Sequence, residues 1–253
     1  MGQRVVAGAL AAPEQWQVVA AVERAGHPRS GADAGVLAGC PAAGVTIAES
    51  WEVPSDVVID FSLPEAVAGI IAACVAQRVP LVVATTGLSA SDHDQIREAA
   101  QTIPVLQSPS MSLAVNISMD LVGRAAALLA GISGQTDVEI IECHHHHKED
   151  APSGTALKFG AIVRDAMGQI REAHGRVGRP GGRPADEIGY HAIRAGDNPG
   201  EHTILFGMEG ESFSVHVRAT NRDCYARGAL AAAAFLAAKP AGLYSMRDVL
   251  GLG

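Results

Sequence analysis

The stretch ECHHHHKEDAPSGTA, residues 142–156, joins a run of imidazoles to a lysine and then to a helix start. Before it, Asp137-Val138-Glu139-Ile140-Ile141 alternates polar and apolar residues as a half-buried strand does. After it, TALKFGAIVRDAM, residues 155–167, repeats apolar residues at helical spacing. Pro152 suits the position just ahead of a helix, and Ser153 or Thr155 suits its cap. The histidines are therefore expected at a strand's carboxyl end and Ser153-Gly154-Thr155 at a helix's amino end, in an α/β fold.

That placement brings specific chemistry together. The backbone amides of Gly154 and Thr155, with the helix dipole behind them, make a site for a carboxylate or phosphate. Lys148 adds a cation, and His144 and His145 can donate or accept a proton near neutral pH. On the residues alone, a purification tag, a metal cluster and a purely structural turn stay open. The run is internal and embedded between a strand and a helix, which argues against a tag. Successive strand residues point to opposite faces, and Cys40, Cys74, Cys143 and Cys224 are scattered without ligand spacing, so no metal ligand is assigned.

These residues resemble the 4-hydroxy-tetrahydrodipicolinate reductases, the dihydrodipicolinate reductases of bacterial lysine (diaminopimelate) biosynthesis. The family's motif reads E-x-H-H-x-x-K-x-D-A-P-S-G-T-A, and residues 142–156 match every fixed position. The resemblance implies that His144 is a proton donor or acceptor, His145 a substrate contact and Lys148 the general acid. It implies also that Gly154 and Thr155 bind a carboxylate of a small dicarboxylate substrate.

The 253 residues, 48% hydrophobic, suffice for one large domain or two small ones. Aromatic residues make up only 4%, so the core is aliphatic. A net charge of −8 without a basic cluster argues against nucleic acid or an anionic membrane surface as partner. No uninterrupted apolar run reaches about 18 residues, so no membrane span is expected. MGQRVVAGALAAPEQ, residues 1–15, has the arginine and alanines of a short signal peptide but reads as the first helix of the fold. Four unpatterned cysteines fit a reducing cytoplasm.

In the front half, apolar runs at 17–23, 56–62, 79–87 and 103–108 read as strands. PEAVAGIIAACVAQR and SASDHDQIREAAQ between them read as helices. Val-rich strands alternating with helices predict a parallel sheet covered on both faces, which binds a dinucleotide at the carboxyl ends of its strands. The resemblance implies NADPH or NADH. Glu23 then suits the adenosine ribose hydroxyls and Arg24 a 2′-phosphate, although a solvated strand end explains the pair equally well on its own. Ala84-Thr85-Thr86-Gly87 matches the family's G-T-T-G except at Ala84. Ser108-Pro109-Ser110-Met111-Ser112 stands where the family has A-x-N-(F/M/Y)-S, so Ser110 replaces an asparagine with a shorter side chain that has no amide. Phe61-Ser62 resembles the family's Phe-Thr beside the nicotinamide.

The family opens with a strand, a loop G-x-x-G-R-M-G and a helix. Here Met1-Gly2-Gln3-Arg4 leads directly into helix-like sequence, so Gly2 is expected to be the last glycine of that loop, with the first strand upstream. A misplaced start or a truncated chain is one explanation, and a lineage that lost the strand is the other. The first is favoured, because about five buried residues at roughly 1.5–3 kcal/mol each rival a whole domain's net stability.

In the back half, residues 115–129 read as a helix. RVGRPGGRP, 176–184, reads as a mobile loop whose arginines either cover an anionic substrate or are simply solvated. Strands are expected at 187–194, 202–207 and 212–220, joined by turns at GDNPGE and MEGE. EIGYHAIRAGDNPGEHT matches the family's E-I-G-x-x-x-x-R-G-G-D-x-x-G-E-H-T except at Ala195. The family packs such open sheets together in a homotetramer. Residues 226–252 read as a helix and tail returning to the cofactor domain.

The expected architecture is thus an α/β chain of two domains. Residues 1–113 and 226–253 form a Rossmann-like dinucleotide-binding domain without its first strand. Residues 114–225 form an α+β substrate and tetramerisation domain with an open mixed sheet. The resemblance implies NAD(P)H-dependent reduction of 4-hydroxy-tetrahydrodipicolinate in the cytoplasm, the 4-hydroxyl leaving as water. The alternative is a non-catalytic oligomeric remnant that no longer holds the dinucleotide.

Overall fold

A computed structural model describes residues 1–132 and 135–252 and divides the chain into two compact units, Met1–Leu113 with Arg222–Gly253, and Ala114–Asn221. In the first, helix α1 (Gly2–Leu10) leads to strand β1 (Ala21–Val22), helix α2 (Ala34–Leu37) and strand β2 (Ile47–Ala48). Strand β3 (Val58–Asp60), helix α3 (Pro64–Gln77), strand β4 (Leu81–Val83), helix α4 (Ala90–Ala99) and strand β5 (Pro104–Gln107) then alternate. Pro64 opens α3 where its missing N–H costs nothing, after an extended Leu63. α4 starts with a reciprocal box in which Ser89 caps Asp92 and Asp92 caps Ser89.

The expected single sheet is corrected. The run 17–23 ladders only at Ala21 and Val22, and its partner is Ile47–Ala48, a segment with no strand-like run of its own. β1 and β2 make a separate parallel pair, while β3 pairs with β4, and β4 with β5, in parallel. Among the described strands, β3 therefore has a partner on one side only.

The second unit begins on helix α5 (Leu113–Ala130), followed by strand β6 (Asp137–His144), helix α6 (Gly154–Met167) and strands β7 (Arg171–His174), β8 (Glu187–Arg194), β9 (Glu201–Met208) and β10 (Glu211–Arg218). The sheet order is β10-β9-β6-β8-β7. β8 and β9, expected as neighbours across GDNPGE, are separated by β6, which runs parallel to β8 and antiparallel to β9. β7 was not expected, because Arg171-Glu172-Ala173-His174 carries no apolar alternation. On β6 the residues Val138, Ile140, Glu142 and His144 are all buried. Val138 and Ile140 pack with Val122, Ala126, Phe159, Val163, Ile188, Ile204 and Phe206.

Two expectations change here. α5 is long and apolar enough to cross a membrane by length and composition, although no such run was expected. Val115, Val122, Ala126 and Leu129 belong to the core, and Asp120 accepts from Arg124 one turn on at 2.7 Å, so α5 is a core helix. The segment 176–184 is largely exposed, but two of its arginines are held by carboxylates of β6. Arg176 donates to Glu139 at 2.7 Å, and Arg183 donates to Glu139 at 3.0 Å and Asp137 at 2.8 Å. Burial works against the Glu139 charge, but Arg176, His191 and Arg183 outweigh it and hold its carboxyl down to about 2. The network fits against the sheet because Gly189 lies opposite, where a Cβ would stand 1.9 Å from Glu139 Oε2.

The chain then returns to the first unit through helix α7 (Asp223–Leu236), strand β11 (Gly242–Tyr244) and helix α8 (Met246–Val249). The crossing at Arg222 precedes the expected boundary at 225/226 because α7 starts early. β11, expected as tail, extends the sheet to β11-β5-β4-β3. Leu81, Val83 and Val105 face the α3 and α4 side chains Val67, Ile71, Cys74 and Ile96. Val82 and Leu106 face Ala229, Ala232, Ala233 and Leu236 of α7. The sheet is thus covered on both sides, which is why β4 is apolar at every position.

α7 approaches so closely that a Cβ on Gly228 would lie 1.6 Å from the Met111 carbonyl oxygen. Gly228→Ala should cost about 3 kcal/mol, the upper end of overpacking, read as a lower urea midpoint. An unchanged midpoint would contradict this packing.

Candidate functional site

The carboxyl end of β6 and the amino end of α6 build one cluster in the second unit. Glu142 and His144 follow Val138 and Ile140 on the buried face of β6. The His144 Nδ1 bonds the Glu142 carboxylate. Arg194, at the end of β8, donates to both oxygens of Glu142 at 2.8 and 2.9 Å, and the Ser153 amide donates to the same carboxylate at 3.1 Å. Ser153 caps α6 by accepting from the Ala156 amide at 3.2 Å, and its hydroxyl lies 3.1 Å from His202 Nε2. The chain past β6 is fixed by the Ala195 amide on the His144 carbonyl at 2.9 Å and the His145 amide on the Asn198 carbonyl at 2.8 Å.

Gly154 and Thr155 are the first two residues of α6, so helix geometry leaves their amides without intrahelical acceptors. Lys148, in the turn between β6 and α6, donates to Asp150 at 2.7 Å. The structure thus brings His144, His145, Lys148, Gly154 and Thr155 into one segment of strand, turn and helix start.

Electrostatics sort the histidines. Burial pushes the His144 imidazole below its ordinary value; the Glu142 carboxylate opposes this, and the charges of Lys148 and Arg194 reinforce it. Burial, then the neighbouring His144, pushes His202 down to about 4. For Glu142, burial disfavours the charge, but hydrogen bonds from Arg194 and His144 prevail and its carboxyl stays below the ordinary range. Both imidazoles are therefore neutral at pH 7. A carboxylate only accepts, so the neutral His144 carries its proton on Nδ1 and keeps a lone pair on Nε2.

The expected cofactor residues lie in the first unit, at strand ends. Glu23 and Arg24 follow β1, and the Glu23 amide donates to the Ala48 carbonyl at 2.9 Å. Phe61 follows β3, Ala84, Thr85 and Thr86 follow β4, and Ser108, Ser110 and Met111 follow β5. Because β3, β4 and β5 are parallel and aligned at Asp60, Val83 and Gln107, these last residues share one edge of the sheet. Ser108 Oγ donates to the Ser110 carbonyl at 2.8 Å, so that loop is held by its own side chain. Gly2 is the first residue of α1, and a Cβ there would meet nothing within 4 Å. An edge of parallel strand ends, an acidic and a basic residue after β1, and the amides opening α1 fit a nicotinamide dinucleotide.

Glu142, Arg194, His202 and Asp60 organise these sites, and no local sequence signal assigned them a role. Glu142 and Arg194 were visible only as fixed letters of the family's motifs. His202 and Ser153 meet across a sequence gap that no local pattern spans. Asp60, buried at the end of β3, accepts from the Ser62 amide and from Thr85 Oγ1, both at 2.8 Å. It joins the ends of β3 and β4 and positions Thr85. An acidic residue closing an apolar strand was the available signal.

Comparison with known proteins gives one answer along the chain. Residues 1–111 match the family model described as dihydrodipicolinate reductase, N-terminus, and residues 114–250 its C-terminus. A 4-hydroxy-tetrahydrodipicolinate reductase of Rhodopirellula baltica is 53% identical, covering 100% of this chain and 92% of the relative. One from Anaeromyxobacter dehalogenans is 44% identical, covering 100% and 94%. Among solved structures, a dipicolinate-bound dihydrodipicolinate reductase from a Paenisporosarcina species is similar in fold, with a TM-score of 0.77, 23% identity, and coverage of 98% of this chain and 94% of that one.

The low His202 value makes a pH prediction. The folded ring takes a proton near 4 and the unfolded one near 6.5, so between these values the unfolded state binds more protons. Stability should be fully present above about pH 6.5 and fall as pH drops through 4. Ring NMR should show His202 neutral at pH 5; a midpoint near 6.5 would refute its buried, neutral state.

Proposed function

As a member of the dihydrodipicolinate reductase family, the chain reduces 4-hydroxy-tetrahydrodipicolinate to tetrahydrodipicolinate with NADH or NADPH in lysine and diaminopimelate biosynthesis, and we propose that the β6–α6 segment carries the reaction. The supporting observation is that Glu142 binds both the His144 ring and the Ser153 amide, so one carboxylate ties the proton-handling group to the anion-binding helix end.

One substrate carboxylate sits on the amides of Gly154 and Thr155, where the helix dipole favours negative charge. His145 contacts the substrate and Lys148 is the general acid. Lys148 leaves Asp150, an exposed partner, to donate a proton as the 4-hydroxyl departs as water. His144 accepts or returns a proton at Nε2. The bound cofactor supplies the hydride. Glu23 and Arg24 hold its adenosine end, the amides from Gly2 onward meet its phosphates, and Phe61, Ala84, Thr85, Thr86, Ser108, Ser110 and Met111 bound its nicotinamide end. In this reading residues 1–113 with the C-terminal segment bind the cofactor and the second unit binds substrate. A non-catalytic remnant is not favoured, since the relatives named reductases match essentially the whole chain.

We propose further that the protein is a cytoplasmic homotetramer assembled through the open face of the β10-β9-β6-β8-β7 sheet. On that face Ile193 is exposed, beside the half-buried Ile141 and Leu205. Sedimentation should give four chains of 26.0 kDa each; a single chain at micromolar concentration would contradict this.

Lys148→Ala should lower kcat by at least about a hundredfold, the low end for a general acid, with NADPH affinity little changed. Near-normal turnover would show that the acid lies elsewhere.

A further inference from the structure

Glu142 stands beside the helix end where an anionic substrate is to bind, which is an unfavourable place for a negative charge. Its side chain is 1% exposed, and each oxygen is engaged twice. Oε2 takes His144 Nδ1 and Arg194 Nη1, and Oε1 takes Arg194 Nη2 and the Ser153 amide. The charged or titratable groups around His144 come from four elements. They are Glu142 on its own strand, Arg194 on β8, His202 on β9, its ring 5.2 Å away edge-on, and Lys148 in the turn.

We propose that Glu142 and Arg194 are positioning residues for the reduction: Glu142 holds His144 as the Nδ1–H tautomer with Nε2 open, and Arg194 cancels the Glu142 charge next to the substrate carboxylate. The proposal rests on the reading that His144 and the α6 amides face the substrate. Two physical facts support it. A ligating or reacting imidazole has its tautomer set by the acceptor on its other nitrogen. A planar guanidinium meets both oxygens of a carboxylate at once, whereas lysine supplies the charge without the fork.

The test uses the full chain with NADPH. In the parent protein, nitrogen-15 NMR of the His144 ring should show a proton on Nδ1 and none on Nε2 at pH 7, a readout that needs no variant and no turnover. Glu142→Gln should mix the two tautomers, lower kcat by about ten- to a hundredfold, and move the acid limb of the kcat/KM profile to lower pH. Glu142→Asp keeps the charge and should retain the tautomer. Arg194→Met should raise KM for the dicarboxylate substrate about tenfold or more with NADPH Kd unchanged, and Arg194→Lys should recover much of that loss. An Nε2–H tautomer in the parent protein overturns the proposal. So does a Glu142→Gln protein with parental tautomer and pH profile, or an Arg194→Met protein with parental KM. His144→Ala with full activity would instead sink the reading of His144 as a reacting group while leaving the tautomer result standing.

Discussion

The second unit is organised around one buried carboxylate. Glu142 lies where the hydrophobic face of β6 runs out, and it is ionised because four donors converge on it. Removing a partner from a buried ion pair costs about 3–5 kcal/mol, since the remaining charge is left without compensation. The positions of His144, the Arg194 end of β8 and the Ser153 cap of α6 are therefore not independent. Beside its own strand's His144, Glu142 is reached by groups from two other elements, Arg194 of β8, the strand next to β6, and the Ser153 amide at the start of α6.

The first unit obeys a different constraint. Its sheet is apolar on both faces, so helices must cover each side, and only the strand ends remain for chemistry. Asp60 shows how such an end is stiffened: its side chain spans from β3 to the first residues past β4, holding Thr85 and Ser62 with one carboxylate. Gly228 allows α7 to come close enough to the Met111 backbone to seal the second face. The same device, a buried carboxylate gathering donors at a strand end, serves both units.

Much of this was legible in the sequence, for reasons that differ by element. β8 and β9 and the helices α3 and α6 were read nearly to the residue, because periodicity, proline and capping serines are local signals. The β6–α6 site was legible because its groups lie within fifteen residues. Pairing was not. Ile47–Ala48 forms a strand only because Ala21–Val22 lies beside it, and β7 has no apolar pattern to announce it. The insertion of β6 between β8 and β9 depends on the whole sheet, as does the capture of Arg176 and Arg183 by Glu139. The apolar length of α5 was not expected because Asp120 and Arg124 interrupt the run, yet they pair with each other one turn apart while Val115, Val122, Ala126 and Leu129 pack into the core. Glu142 was read as a motif letter, since nothing local in the sequence says that an arginine fifty-two positions away will neutralise it.

The most direct test of the account is a crystal structure of the chain with NADPH and pyridine-2,6-dicarboxylate. The account places one carboxylate of the analogue on the Gly154 and Thr155 amides, with Lys148 turned from Asp150 toward the ring and the Glu142–Arg194–His144 bonds intact. An analogue bound at any other helix end, or a Lys148 still paired with Asp150 beside a bound analogue, would contradict it.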